Sequence, residues 1–193
     1  MSRRTDRRVQ YTRSVIEESF LTLLEQKPLH SITVKALCSE ADINRSTFYS
    51  HYKDIHDLLE GIQKRIMEDV EAMLNAFDYT KDDEALAMTT SLMRYLKENR
   101  RNSRIIFSDH GDPDFQRRVI YRVHRHLLQS FFRDHVKDTP INPDHLSTFV
   151  IHGSIAVVHS WVRNNMEESP EVIAWMIANF TNHGISAVGL QTP

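Results

Sequence analysis

Helical spacing dominates the distribution of apolar residues along this chain. Val9, Ile16, Phe20, Leu23 and Leu24 fall on one face at 3.6 residues per turn, which predicts a helix over residues 7–26. The stretch KPLHSI breaks that helix, and Thr33 is a good N-cap for a short one, VKALCSEA, with Leu37, Cys38 and Ala41 as its small apolar face. A tight turn is expected at Asp42-Ile43, after which Asn44 can cap a second short helix, RSTFYSHY. Asp54 caps the next helix, where Ile55, Leu58, Leu59, Ile62, Ile66, Val70, Met73 and Phe77 form a long stripe. Residues 33–77 thus read as helix, turn, helix and a long connecting helix.

The second half repeats this grammar with longer helices. DDEALAMTTSLMRYLKEN is one and RIIFS a short one, and three more start where a capping residue precedes a proline: Asp112-Pro113, Asn142-Pro143 and Ser169-Pro170. No hairpin signal, internal repeat or low-complexity segment interrupts the pattern. The expected fold is all-α with about nine helices: an N-terminal three-helix, helix-turn-helix domain over residues 1–53 and a helical domain over 54–193.

One segment departs from the pattern. ADINRSTFYSHYKD, Ala41 to Asp54, holds two tyrosines, a histidine, three hydroxyl residues, an arginine and a lysine, with Ile43 as its one large aliphatic residue. Charge singles out the same region. Nine Lys and Arg against six acids leave residues 1–53 at +3, and the other 15 bases against 20 acids leave the remainder at −5. Such asymmetry suits one part meeting a polyanion while another does something else; a solvated tail with chance clustering is the plainer alternative.

An α-helix fits the DNA major groove, and a helix-turn-helix seats its second helix there while the first braces it. Leu37, Cys38 and Ala41 can supply the apolar underside, with Ile43 and Phe48 plugging the joint. Arg45, Ser46, Tyr49 and Ser50 then face outward, and Thr47, His51, Tyr52 and Lys53 lie on the sides and end of the helix. Arginine can grip guanine through two hydrogen bonds, and hydroxyls can anchor phosphates. The competing reading is a short connector whose tyrosines cover a core edge.

TVKALCSEADINRSTFYSHYKDIHDLL resembles the DNA-binding domain of the TetR/AcrR family of bacterial one-component transcription regulators, over roughly residues 8–62. The positions that carry the resemblance are Thr33, Leu37-Cys38, Ala41, Ile43, Phe48-Tyr49, His51-Tyr52 and Leu58-Leu59. GSIAVVHSWVRNNMEESPEVIAWM is similar, more loosely, to the C-terminal domain of regulators like the dihydroxyacetone-kinase regulator. The resemblance implies that Lys35, Arg45, Ser46 and Tyr49 approach base edges. It implies that Thr33, Thr47, His51, Tyr52 and Lys53 hold phosphates. Two roles are open to the arm Arg3, Arg4, Arg7 and Arg8, along the backbone or in the minor groove, where arginine favours narrow A·T tracts; disorder is the alternative.

Two positions leave the family pattern. Its turn glycine is Asp42 here, and Asp tolerates left-handed backbone better than most residues. Its lysine at the start of the fourth helix is Ile55, with Lys53 two residues earlier. An exposed Ile55 would mark a missing phosphate anchor; an Ile55 in the Leu58/Leu59/Ile62 stripe would belong to the core.

In the C-terminal half, the helix after Pro143 is apolar on two sides. Leu146, Phe149, Val150, Val157 and Trp161 form one stripe and Ile151, Ile155, Val158 and Val162 another. A surface helix needs one stripe, so the second is expected to face other protein. By the resemblance that is a second copy, in a four-helix interface whose candidates are Ile151, Ile155, Val158, Val162, Ile173 and Ile177. Burial within one subunit is the alternative. Tyr95, Tyr121, His124, His152 and Trp161 are candidates for lining an effector pocket. The histidines show no i, i+4 pair of the kind that builds a helical zinc site, so no metal or other cofactor is expected. With five glycines and no phosphate loop or nucleophile–base constellation, an enzyme is not expected.

One cysteine, a charged N-terminus and no apolar run of about 18 residues lead to the expectation of a cytoplasmic protein without a membrane partner. The sequence-level expectation is a one-component repressor that binds a palindromic operator as a homodimer and is released by a small molecule. The alternative is a family-related co-regulator that acts through a protein partner with little DNA binding of its own.

Overall fold

The computed structural model describes the backbone of residues 2–77, 82–107, 110, 112–135 and 142–190, and side-chain burial through most of residues 7–126 and 142–181. Among the described residues every regular element is helical, as the spacing predicted. The helices are α1 (Ser2–Gln26), α2 (Val34–Glu40), α3 (Arg45–Tyr49), α4 (Ile55–Asn75), α5 (Asp82–Glu98), α6 (Arg100–Ile106), α7 (Pro113–His135), α8 (Pro143–Arg163) and α9 (Pro170–Leu190), with a 3-10 turn at Leu29–Ser31.

Element starts follow the capping chemistry closely. Thr33 accepts from the Ala36 amide, Asn44 from Thr47 and Asn142 from Asp144, and Pro143 stands at the first helical positions. Lengths differ more. α1 begins at Ser2 rather than residue 7, because nothing in SRRTDRR breaks a helix and arginine is a good helix former. The backbone of the arginine arm thus continues α1. α3 is shorter than expected: the Ser50 amide reaches back to Ser46, and the His51 and Tyr52 amides both turn back to Phe48. α6 begins at Arg100, four residues before the expected RIIFS helix. α9 runs on through Gly184, since no described glycine adopts positive φ.

The chain forms two compact units. One comprises residues 1–67 and 105–112, the other residues 68–104 and 113–193. In the first, Ile16, Phe20, Leu21, Leu23 and Leu24 of α1 bury with Leu37 and Cys38 of α2, Phe48 of α3 and Leu58, Ile62 and Ile66 of α4. Burial pushes the Cys38 thiol above its ordinary pKa, partly offset by Arg45. Residues 105–112 join this unit through His110 Nδ1, 2.9 Å from the Leu24 carbonyl, and through Gln63, whose amide donates to Asp112 at 2.8 Å.

In the second unit α9 packs against α5, α7 and α8. Its core includes Met88, Leu92 and Met93 of α5, Phe115 of α7, Trp161 and Val162 of α8, and Ile173 and Ala174 of α9. The α8–α9 connection is held tightly. Met166 is fully buried with its amide on the Trp161 carbonyl at 2.8 Å. Arg100 donates to the Asn165 carbonyl at 2.7 Å, and Lys97 and the Trp161 indole both donate to the Glu168 carbonyl.

The turn between α2 and α3 is a Schellman-type close. Ala41 ends α2, Asp42 takes φ 49°, and the Ile43 amide returns to the Cys38 carbonyl at 3.0 Å. Only this left-handed step lets Ile43 turn back under the helix, so the aspartate accepts a strain that glycine would not. Asp42→Gly should stabilise the protein by about 0.5–1 kcal/mol, the relieved strain exceeding the added unfolded-state entropy. Asp42→Val should cost more than that, since a branched side chain fits left-handed backbone worst. Thermal melts of both variants test the pair, and a lower melting temperature for Asp42→Gly would refute it.

Candidate nucleic-acid interface

α3 has five residues, too few to persist alone in water. Asn44 organises it beyond an ordinary cap. Its Oδ1 accepts from the Thr47 amide at 2.8 Å, the Thr47 hydroxyl at 2.9 Å and the Ser46 hydroxyl at 2.6 Å. Below, Phe48 is fully buried, with its ring edge-on to Tyr49 at 5.4 Å and 6.0 Å from Tyr52. The underside expected for a brace is thus present: Leu37, Cys38, Ala41 and Phe48 are all buried.

Most of the residues singled out in the sequence have side chains open to solvent. Thr33, Lys35, Arg45, Ser46, Tyr49 and Lys53 are exposed, and Thr47 and His51 are half-buried at the flanks. Tyr49 shows 57% of its surface, unusual for a tyrosine with a core phenylalanine beside it. Ser46 and Thr47 spend their hydroxyl protons on Asn44, so in this state they offer lone pairs rather than donors. That suits base amino groups better than phosphates, which accept only. Ser50 likewise donates to the Thr47 carbonyl at 2.7 Å. Asn44 itself was legible only as a cap; its hold on two hydroxyls depends on α3 being formed.

Two residues are buried instead. Tyr52, expected among the phosphate contacts, is 4% exposed, and its hydroxyl donates to Glu17 Oε1 at 2.6 Å. Burial and that carboxylate push its phenol up to about 12. Ile55 is 8% exposed and belongs to the stripe of Leu58 and Ile62, which overturns the idea of a vacant exposed anchor. The start of α4 is instead set by two aspartates. Asp54 Oδ1 accepts from the Asp57 amide at 2.9 Å and Asp57 Oδ2 from the Lys53 amide at 2.8 Å, a reciprocal arrangement like a capping box. The Asp57 amide holds the Asp54 carboxyl below its usual range. Glu17 carried no local signal beyond being an acid next to the buried Ile16.

The C-terminal candidates scatter. Trp161 is buried with its indole N–H on a backbone carbonyl, while Tyr121 and His152 are exposed, and the His124 side chain lies outside the described residues. Tyr95 is half-buried, and its phenol, held up by burial and the Asp69 carboxylate, donates to Asp69 at 2.9 Å. These four described residues therefore do not bring free polar atoms to one cavity. Val162 and Ile173 are core residues at 2% and 5% exposure, so neither has surface left for a partner, whereas Ile151, Ile155, Val158 and Ile177 are half-buried. Among the described residues no group of three His, Cys, Asp or Glu could hold a metal ion, and no described helix is long and apolar enough to cross a membrane.

Two family models match successive stretches of the chain. Residues 21–62 match the model of bacterial regulatory proteins of the tetR family, and residues 83–183 match a transcriptional regulator C-terminal region. YxbF of Bacillus subtilis (strain 168), an uncharacterized HTH-type transcriptional regulator, is 32% identical over 95 residues; these are 46% of this chain and 25% of that protein, so the match spans a quarter of the relative's length. A TetR transcriptional regulator from Streptococcus agalactiae 2603V superposes with a TM-score of 0.67 at 21% identity over 94% of this chain and 99% of its own. The dihydroxyacetone kinase operon activator DhaS gives 0.58 at 21% identity, over 92% and 98%. The C-terminal model covers more than half of the sequence and the tetR model lies on the α1–α4 helix-turn-helix, so this chain belongs to the TetR family of transcription regulators.

Proposed function

We propose that this regulator binds a palindromic DNA operator as a homodimer, with α3 in the major groove, and that a small molecule bound by the α5–α9 unit releases it. The observation that carries the reading is the exposed polar side of α3, Arg45, Ser46 and Tyr49, over a buried underside of Leu37, Cys38, Ala41 and Phe48, with Thr33, Lys35 and Lys53 exposed on the flanking segments. Arg45, Ser46, Tyr49 and Lys35 are assigned to base edges and Thr33, His51 and Lys53 to the flanking phosphates, while Thr47, its hydroxyl proton spent on Asn44, is left as an acceptor only. Tyr52 is left out because its hydroxyl is spent inside the protein. A dimer seated on promoter DNA excludes polymerase, so repression in the cytoplasm is the proposed sign and place of action. The experiment that tests this is a gel shift with the gene's own upstream DNA. No shift there, with retention of the protein on a co-purifying protein partner, would favour the co-regulator reading instead.

The homodimer is supported by apolar surface that one subunit leaves bare. Phe149 and Phe180 are 78% and 77% exposed, and Trp175 and Val172 are more than half exposed. Gly153 sits on the same side of α8 as Phe149 and Ala156, with nothing within 4 Å of where a Cβ would stand, leaving room for a helix to approach. Ile151, Ile155, Val158 and Ile177 would support that face from beneath. A twofold dimer presents two α3 helices related by symmetry, which is why the site is expected to be palindromic, with half-sites about one helical turn apart or slightly more.

Arg45→Ala and Tyr49→Ala should each weaken operator binding by about 1–3 kcal/mol while hardly changing affinity for random duplex. Lys53→Ala should weaken both alike and lower the slope of log affinity against log salt by about 1. Equal losses on the two DNAs for Arg45→Ala would make it a phosphate contact.

Ile55→Lys should place an unpaired charge in the core and lower the melting temperature, with a cost of about 2–4 kcal/mol and no change in salt slope. A steeper slope with unaltered melting would return Ile55 to the DNA surface.

Phe149→Asp and Phe180→Asp should yield folded monomers by sedimentation with weakened operator binding. Variants that remain dimeric would move the interface elsewhere.

A further inference from the structure

We propose that Glu17 and Tyr52 form a clamp that sets the seating of the reading helix, making both positioning residues for operator recognition. The clamp rests on the DNA-binding role of α3 and deepens it. Tyr52 follows α3 directly, and its ring is held from three sides. Phe48 lies 6.0 Å away, the Arg13 guanidinium of α1 lies 5.4 Å over the ring, and a Cβ on Gly61 of α4 would lie 3.9 Å from Tyr52 Cε1. Its hydroxyl donates to Glu17 Oε1 at 2.6 Å, and Glu17 Oε2 takes Arg65 of α4 at 2.5 Å. One carboxylate therefore ties the end of α3 to α1 and α4 at once. A phenylalanine at this position would fill the same space but could not reach Glu17. In this chain the hydroxyl converts a packing contact, which tolerates sliding, into a directional one.

The consequence falls on specificity rather than on affinity at large. Hydrogen bonds to base edges depend on distance and angle, whereas attraction to phosphates is long-ranged and tolerant of small shifts. Loosening the end of α3 should therefore degrade base contacts first. Arg65 is nearly half exposed, so its bond with Glu17 is partly screened, and the partly buried phenol–carboxylate bond dominates.

The test uses the full-length protein, a duplex of the gene's own upstream DNA and a scrambled duplex of equal length. Tyr52→Phe keeps the ring and leaves Glu17 paired with Arg65, so the fold is retained. It should lower affinity for the upstream duplex about tenfold and change affinity for the scrambled duplex less than about twofold. Glu17→Ala should do the same, and adding Tyr52→Phe to it should cause no further loss, since the shared bond is already gone. Glu17→Gln keeps an acceptor for the phenol and should retain more of the preference than Glu17→Ala. Equal losses on both duplexes, or a lower melting temperature with an unchanged preference in Tyr52→Phe, would overturn the clamp while leaving DNA binding intact. An unmodified protein that does not distinguish the duplexes would overturn the operator reading and the clamp together.

Discussion

A helix of five residues has almost no stability of its own, and everything about the N-terminal unit follows from having to hold one. A longer reading helix could draw on its own backbone ladder. α3 instead borrows order from both ends and from below. Asn44 gathers one amide and two hydroxyls at its start. Phe48 anchors its middle with no exposed surface. The amides of His51 and Tyr52 close its last turn on the Phe48 carbonyl. Phe48 and the backbone amides are engaged within the protein, and the Ser46 and Thr47 hydroxyls keep only lone pairs for DNA, so the outward positions can be polar without weakening the helix. A polar aromatic segment can stand between apolar ones because its order comes from its neighbours, which leaves outward side chains such as Arg45 and Tyr49 for recognition.

That dependence also explains which features could be read from the chain. N-caps are local, set by one side chain and an amide two or three residues later, so Thr33, Asn44 and Asn142 were visible without a fold. The αL turn was visible for the same reason, and Asp42 takes it at φ 49°. Tyr52 is buried where the resemblance implies a phosphate contact, and its amphipathic side chain suits either environment. Its partner Glu17 lies 35 residues away, and no spacing rule links the two. Ile55 was open between two environments since it begins a helix, where the apolar stripe has no preceding turn to fix its phase. Val162 was read as part of an outer stripe on a helix whose two apolar faces are equivalent in sequence. Contacts with α7 and α9 decide which residues are inside, and they are tertiary.

The second unit solves a different problem with the opposite distribution of polarity. Its core is closed with methionines, leucines and one tryptophan, and the α8–α9 connection is fixed by Arg100 and Lys97 reaching backbone carbonyls. Positive φ at both Asn165 and Met166 is tolerated there because the Met166 side chain is fully buried, and its burial offsets the backbone cost. Against so defined a connection, leaving two phenylalanines more than three-quarters exposed is not economy of folding. Large bare aromatics on this helix pair are the surface on which the proposed dimer would close.

The two units therefore use rigidity for different ends. In the N-terminal unit directional bonds fix a small polar surface whose value lies in angular accuracy, since base edges are read through hydrogen bonds that weaken within tens of degrees. In the C-terminal unit the proposed dimer face would draw on buried apolar area, which is indifferent to small rotations. A phenol donating to a carboxylate belongs to the first kind of device and would add little to the second. Its place directly after the reading helix, on a ring that phenylalanine would have filled equally well, is where angular restraint has something to act on.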